Sequence, residues 1–177
     1  MATANFIRPS KKAKTENLSA VTLAYLWSRR DSKRIGDLKR LRVLLKSGCT
    51  ATLINKKLVK HLKKKKTTPT RWSTKAGKFN TAQKCKIEFN LPEFPAGREI
   101  EWDAYVDESP SHECRYDMII GRDLLMHLGI DLVFSKAEIH WDNASIPMKT
   151  LETLSEENID SLEHEILFSQ DPDTIGA

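Results

Sequence analysis

The sequence predicts an all-β domain over residues 37–148, closed and mostly antiparallel, with one short helix. Three stretches of alternating apolar and polar residues, 41–45, 85–89 and 100–106, carry this prediction. Alternation with a period of two residues is typical of a strand that buries one face. No internal repeat at a solenoid period is present in the sequence, which excludes a repeat architecture.

Opposite charges separate the two halves of the chain. Residues 1–86 hold 24 Lys and Arg against 3 Asp and Glu, whereas residues 87–177 hold 5 against 21. We therefore predict a basic N-terminal arm over 1–36 and an acidic C-terminal linker or tail over 149–177. Basic segments attract polyanions, so weak nonspecific nucleic-acid binding through residues 1–86 is expected. A solvated surface is the simpler interpretation of the Lys63–Lys66 run taken alone.

Length and composition exclude several classes of protein. The 177 residues suit one domain with tails and are too few for a two-lobed enzyme. No apolar run approaches the roughly 20 residues of a membrane span, and no secretory signal is visible, so we expect an intracellular protein, cytoplasmic or nuclear, with no membrane partner. Cys49, Cys85 and Cys114 show no CxxC spacing, and the five histidines show no metal-ligand spacing. We therefore expect no disulfide scaffold, no metal and no cofactor.

The first apolar stretch lies inside the basic arm, within residues 17–34. Leu18, Val21 and Tyr25 follow the spacing of one helical face. The arm is therefore predicted to contain a helix.

The predicted domain begins with two short strands. Leu41, Val43 and Leu45 alternate with other residues and lead to the turn at Ser47-Gly48. Thr52-Leu53-Ile54 forms a second apolar run. Asn55 then follows, a residue type that caps helices, so a short helix through Leu62 is expected after it.

A long hairpin is predicted over residues 70–90. Gly77 is its natural tip, because a tight hairpin turn needs a residue that tolerates positive φ. Cys85, Ile87 and Phe89 alternate with charged residues and indicate a half-buried strand.

The last predicted elements follow residue 116. Tyr116 to Ile120 reads as a compact strand, and Asp123 to Leu128 as a short helix that Gly129 stops. Leu132 to Phe134 and Glu138 to Trp141 form a final hairpin. The acidic tail from 151 to 168 has a helical pattern.

Two segments carry the candidate chemistry. One is Leu44-Leu45-Lys46-Ser47-Gly48-Cys49-Thr50-Ala51, and the other is Met118-Ile119-Ile120-Gly121-Arg122-Asp123-Leu124-Leu125. The hairpin with its Gly77 tip lies between them. This order resembles the retropepsin family, the aspartic proteases of retroviruses and of gypsy-type LTR retrotransposon polyproteins.

The resemblance covers residues 37–148 and implies a retropepsin-like (acid protease) barrel that works as a homodimer on polyprotein peptides. It places the catalytic Asp of the family at Lys46, a hydroxyl that links the two active-site turns at Ser47, and the tight backbone at Gly48. The flap tip would be Ala76-Gly77-Lys78. Gly121-Arg122-Asp123 would support the site from behind.

Lys46 decides what chemistry the sequence allows. Aspartic proteases hold two carboxylates about 3 Å apart that share one proton, so that one activates water while the other protonates the substrate carbonyl oxygen. In a retropepsin each subunit supplies one of them. This chain has no Asp-Ser-Gly or Asp-Thr-Gly, and a homodimer would bring two ammonium groups together instead. We therefore predict an aspartic endopeptidase domain that is catalytically inactive, a pseudoenzyme.

A second hypothesis is a non-enzymatic module derived from that domain. It would dimerise, or bind a peptide as a pseudo-substrate, or contact nucleic acid through its basic half. Lys46 favours this hypothesis over an active hydrolase, whereas the lack of aromatic residues within the lysine run weakens specific nucleic-acid recognition.

Overall fold

The structure, a computed structural model, places most of the predicted domain. It describes residues 5–7, 17–27, 29–30, 33–34, 38–74, 77–94, 98–110 and 115–169.

The described residues form twelve strands and two α-helices. The strands are β1 (Val21–Trp27), β2 (Arg29–Arg30), β3 (Lys33–Arg34), β4 (Lys39–Leu45), β5 (Leu53–Asn55), β6 (Lys64–Thr74), β7 (Gly77–Asn90), β8 (Ile100–Asp107), β9 (Met118–Ile120), β10 (Asp131–Val133), β11 (Glu138–Trp141) and β12 (Ala144–Pro147). The helices are α1 (Arg122–Leu128) and α2 (Ile159–Ser169). Neither described helix is long and apolar enough to cross a membrane.

Six strands close into a barrel. Their order is β1-β4-β9-β5-β8-β7, and β7 pairs back with β1, while β6 extends the sheet beyond β7 as its hairpin partner. Two neighbouring pairs, β4 with β9 and β5 with β8, are parallel, and the other pairs of this sheet are antiparallel. The predicted closed, mostly antiparallel β domain is therefore confirmed.

Alternation along the strands builds the barrel core. Cys85, Ile87 and Phe89 of β7 are at most 1% exposed, as are Leu41 and Val43 of β4. Each set points its alternate side chains into the same apolar cluster, which is what a period of two residues predicts.

The helix predicted within residues 17–34 is wrong, because its apolar residues form β1. This strand pairs with β4 along six positions and is covered on both faces. Ala24 and Leu26 face the barrel core, whereas Val21 and Leu23 face a second cluster outside it. A strand buried on both faces is a continuous apolar run, and periodicity alone does not distinguish such a run from a buried helix.

The short helix after Asn55 is smaller than predicted. A 3-10 turn covers Lys56–Leu58, and the Asn55 side chain accepts a hydrogen bond from the Lys57 N–H at 3.1 Å, as its capping role requires. The chain then enters β6 at Lys64, so the predicted hairpin is confirmed but begins earlier than residue 70.

The predicted helix before Gly129 and the hairpin after it are confirmed. α1 ends at Leu128, and Gly129 adopts the left-handed conformation with φ 75°, which favours glycine. β10 and β11 then pair, and β12 adds a third strand that the sequence did not predict.

The acidic segment after residue 148 packs on the barrel in its described part. Ile159, Leu162 and Ile166 of α2 lie against Val21 and Leu23 of β1 in the second cluster. The segment is therefore part of the packed structure at least to α2, rather than only a linker. The division into an arm over 1–36, a domain over 37–148 and a tail over 149–177 stays a prediction. β1 lies within the predicted arm and is nevertheless a strand of the barrel.

Polar contacts hold α2 at this position. Arg40 donates to Asp160 at 2.6 Å, and the Tyr25 hydroxyl donates to Glu163 at 2.5 Å. Burial first, and then the hydrogen bond to Glu163, raise the pKa of Tyr25 well above its usual range.

A buried ion pair ties the start of β1 to the end of β12. Lys149 donates to Glu93 at 2.7 Å, with side chains 9% and 7% exposed, and the Thr22 hydroxyl donates to the other Glu93 oxygen at 2.8 Å. Ser19 and Lys149 also exchange backbone hydrogen bonds of 2.8 and 3.0 Å. The start of β1 and the segment directly after β12 are thus fixed to each other.

Truncation of the α2 apolar face should destabilise the whole domain. Leu162 is 7% exposed, so Leu162→Ala removes buried methyl groups and is expected to lower the free energy of unfolding by about 2–5 kcal/mol. Urea unfolding followed by tryptophan fluorescence measures this loss. Glu165→Ala, an exposed change on the same helix, is the matched control and should shift the midpoint little. Equal midpoints for both variants would show that α2 does not contribute to the cooperative unit.

Candidate functional site

The turn that follows β4 is the centre of the candidate site. Lys46, Ser47 and Gly48 are all exposed on it. The Lys46 N–H donates to the Ile120 carbonyl at 2.9 Å, and the Lys46 carbonyl accepts from the Cys49 N–H at 3.2 Å. The backbone of the turn is therefore fixed while its side chains face outward.

The strand β9 fixes this turn from behind. It lies between β4 and β5, parallel to the first and antiparallel to the second, so the chain leaving β9 passes through the loop that joins them. The Arg122 N–H donates to the Cys49 carbonyl at 2.7 Å. The Gly121 N–H donates to the Thr52 hydroxyl at 3.1 Å. The two sequence segments predicted to form one site are thus in direct contact.

Gly121 is required by this close approach. A Cβ at residue 121 would lie 2.3 Å from the Ala51 carbonyl oxygen and 2.8 Å from that of Cys49. Both atoms belong to backbone, which has no room to withdraw without breaking the turn. This steric contact explains why residue 121, predicted to support the site, is a glycine.

Gly48 is different, because nothing in the single chain requires a glycine there. Its backbone lies outside the left-handed region, and a Cβ would meet no atom within 4 Å. The contacts and backbone conformation of the single chain therefore do not explain the role in a tight backbone that the resemblance implies for Gly48. The space beside it is open.

Asp123 connects the turn to the barrel wall. Its carboxylate accepts hydrogen bonds from the Thr52 N–H at 3.2 Å, from the Thr52 hydroxyl at 2.8 Å and from the Trp102 indole at 3.3 Å. The Thr52 hydroxyl in turn accepts from Gly121, so one chain of contacts runs from Trp102 to the turn. Asp123 is bonded within the fold and is placed as a positioning residue.

Arg122 lies at the mouth of an open pocket. This pocket of about 420 Å³ also includes Ser47 and the side chains of Met126, Leu132 and Phe134. Met126 is 75% exposed and Phe134 is 71% exposed. The exposed turn therefore has an apolar neighbour on the surface of the single chain.

The predicted flap is only partly described. Ala76 lies outside the described residues. Gly77 and Lys78 begin β7, where their backbones pair with Thr74 and Ser73 of β6. The hairpin itself is thus in place.

The base of the hairpin is held by aromatic contacts. The Trp72 ring meets the Tyr105 ring edge-on at 5.5 Å, and its indole N–H donates to the Thr81 hydroxyl at 2.9 Å. The Lys84 ammonium lies 4.5 Å from the centre of the Tyr105 ring. These contacts attach β6 and β7 to β8, the barrel strand that carries Tyr105.

Sequence reasoning missed three contributors to the site. Thr52 was assigned only to a strand, and Trp102 and Met126 were assigned no role. Thr52 directly follows the turn and is the one polar residue of the run Thr52-Leu53-Ile54. This polar residue at the start of an apolar run was the available signal. No sequence signal indicates that Trp102 donates to Asp123, because that contact depends on the pairing of β5 with β8.

Lys46 itself presents an ammonium group to solvent. In the part of the chain that the structure describes, no carboxylate lies within 4.0 Å of its Nζ. The protein supplies no carboxylate at this turn position, and Asp123 is committed to Thr52 and Trp102. One copy of the described chain therefore has no acid–base pair on the turn.

No protein-family model matches the chain, and no curated protein matches it. The retroviral protease-like domain of Ddi1 from Leishmania major is 15% identical, with a TM-score of 0.49 over 76% of this chain and 96% of that one. EIAV protease, solved in complex with the inhibitor HBY-793, is 20% identical, with a TM-score of 0.43 over 71% of this chain and 99% of that one.

The two glycines of the site should respond differently to alanine. Gly121→Ala places a methyl group against the Ala51 carbonyl and is expected to destabilise the protein by at least about 2 kcal/mol. Gly48→Ala meets no atom, so stability should be unchanged or raised by up to about 1 kcal/mol. Chemical unfolding of both variants in dilute solution measures the difference. A neutral Gly121→Ala would show that the turn is not held against β9.

Proposed function

We propose that the chain is a retropepsin-like domain from the polyprotein of a gypsy-type LTR retroelement, in which Lys46 stands where the family has its catalytic Asp. The order of segments, turn, hairpin and Gly-Arg helix start, supports this assignment by resemblance. The proposed consequence is a domain that retains the fold of a peptidase and lacks its activity.

One observation carries the proposal. The turn from Lys46 to Ala51 is held by the junction of β9 and α1, through the Lys46–Ile120, Arg122–Cys49 and Gly121–Thr52 hydrogen bonds. Segments 72 residues apart in sequence, Lys46 and Met118, thus meet to form one rigid frame around an exposed position. Such a frame suits a turn that must hold one reactive side chain in a fixed place.

Exposed side chains around the turn support a second copy of the chain as the partner. Met126 and Phe134 are both more than two-thirds exposed and share a pocket with Ser47. Exposed apolar groups beside an open turn favour burial against another surface. A homodimer that pairs the turns would cover them, and would leave the polyprotein peptide, as substrate or pseudo-substrate, to bind between the turns and the hairpins.

Lys46 explains the proposed inactivity. The aspartic mechanism needs one carboxylate that accepts a proton from water and one carboxyl group that protonates the substrate oxygen. Paired lysines offer at best one neutral amine and one ammonium, and their mutual repulsion opposes the pairing itself. No other carboxylate among the described residues of the turn replaces the missing one.

The alternative is a non-enzymatic interaction module, and the same lysine favours it. The backbone amide and carbonyl of Lys46 serve the fold, whereas its side chain is exposed. Folding and dimerisation can therefore persist without catalysis. In this case the retained function is binding of a second copy or of an extended peptide.

Restoring the carboxylate tests the assignment. Lys46→Asp should give weak peptide cleavage that is favoured at acid pH, because activity needs one protonated and one ionised carboxyl group in the pair. Cleavage should rise more than linearly with protein concentration, because each chain supplies half of the site. A peptide-library digest at several pH values, followed by mass spectrometry, measures both effects.

Three comparisons make this test decisive. Lys46→Asn, which removes the charge without adding an acid, should remain inactive, as should the unmodified protein, and a pepstatin-type inhibitor should block the Lys46→Asp activity. Inhibitor-sensitive cleavage by the unmodified protein would refute the proposed inactivity. A folded and dimeric Lys46→Asp variant with no activity would show that loss of function extends beyond this residue.

A further inference from the structure

A group of lysines begins directly after β5, whereas the turn of the proposed site precedes that strand. We propose that this group, formed by Lys56, Lys57, Lys60 and Lys64 and called here the lysine surface, binds the sugar–phosphate backbone of nucleic acid. The proposal does not rest on the peptidase assignment.

The fold gathers these lysines around one pocket. The 3-10 turn after β5 supplies Lys56 and Lys57, the loop behind it supplies Lys60, and the first residue of β6 supplies Lys64. The pocket has a volume of about 500 Å³, which lies within the roughly 300–1,000 Å³ usual for ligand sites. Four lysines within residues 56–64 therefore line one pocket.

The lysine surface is poorly neutralised by the protein. Residues 56–66 contain seven lysines and no acidic residue. The pocket has one acidic neighbour, Glu108, and the ion pair from Lys57 to Asp117 is long at 3.9 Å. A bound polyanion would neutralise the ammonium groups that the protein leaves uncompensated around this pocket.

The pattern of contacts favours nucleic acid over an anionic membrane. Residues 56–66 contain two leucines and one valine, and Val59 is fully buried while Leu58 and Leu62 pack against the barrel core. The surface thus lacks the exposed apolar side chains that help basic segments to enter a membrane interface. Its positive charge is matched instead by a regular series of phosphates.

Recognition should be independent of base sequence. Residues 56–66 contain no Phe, Tyr or Trp on which bases could stack, and the nearby Tyr105 already contacts Trp72 and Lys84. Affinity would then come from ammonium–phosphate contacts and the counterions they release. The expected signature is a strong dependence on salt with little preference among sequences.

Fluorescence anisotropy with labelled 20-nucleotide single-stranded RNA and DNA of mixed sequence tests the proposal on the full chain. The test variant is Lys60→Gln/Lys64→Gln, expected to bind about tenfold more weakly and to lower the slope of log affinity against log salt by roughly 1 to 2. The first control, Arg98→Gln/Lys136→Gln, removes the same formal charge from two exposed residues outside the lysine surface, of which Arg98 is paired with Asp142 at 2.8 Å. The second control, Lys11→Gln/Lys12→Gln, removes it from the N-terminal segment.

Three outcomes would overturn the proposal. One is an equal loss of affinity in either control, which would mean that total charge, or the N-terminal segment, is what binds. Another is no measurable binding by the unmodified protein at low salt. The third is stronger, Lys60- and Lys64-dependent binding to phosphatidylserine vesicles than to either oligonucleotide, which would assign the surface to a membrane. A selective loss in the Lys60→Gln/Lys64→Gln variant, with circular dichroism unchanged, supports it.

Discussion

The structure depends on one close backbone contact, between Gly121 and the carbonyl of Ala51. Because β9 lies between β4 and β5, the chain that leaves it must pass through the loop joining those two strands. Only a residue without a Cβ fits there, since an added Cβ would lie 2.3 Å from a carbonyl oxygen. The same contact aligns the hydrogen bond from Arg122 to Cys49 and starts α1 behind the turn. The start of α1 and the geometry of the turn thus both depend on a single steric requirement.

This arrangement separates the fold from the chemistry that it can support. The turn uses the backbone of Lys46, while Asp123 uses its carboxylate to hold Thr52 and Trp102. None of these contacts involves the side chain at position 46. The residue at position 46 can therefore change without breaking any of these contacts. Under the proposed assignment, repulsion between lysines would arise only where two copies bring their turns together, and not in the folding of the single chain.

The sequence predicted most of the barrel because half-buried strands show their periodicity. β4, β7 and β8 each alternate, and Gly129 ends α1 as its conformational freedom predicts. β1 was mispredicted as a helix because both of its faces are buried, one by the barrel and one by α2. The meeting of the Lys46 turn with the segment at Gly121 was expected only from the resemblance, since no local pattern specifies which distant strand lies between two others. The open space at Gly48 also escaped prediction, because it is a property of packing and not of residue type.

The distribution of charge becomes intelligible only in three dimensions. The basic first half and the acidic second half of the sequence meet where α2 packs on β1 and β4, and there Arg40 is paired with Asp160 and Glu163. Lys149, directly after β12, and Glu93 form a second, buried pair. Acidic residues of α2 thus neutralise a basic residue of the barrel and also attach the C-terminal segment to it. The lysines of residues 56–66 receive little such compensation, since the contact of Lys57 with Asp117 is long at 3.9 Å. Among the described residues, part of the charge asymmetry of the sequence therefore remains at that surface. A segment whose repulsion the fold leaves in place, although acidic residues are abundant elsewhere in the chain, is better explained by an external anion than by the stability of the domain.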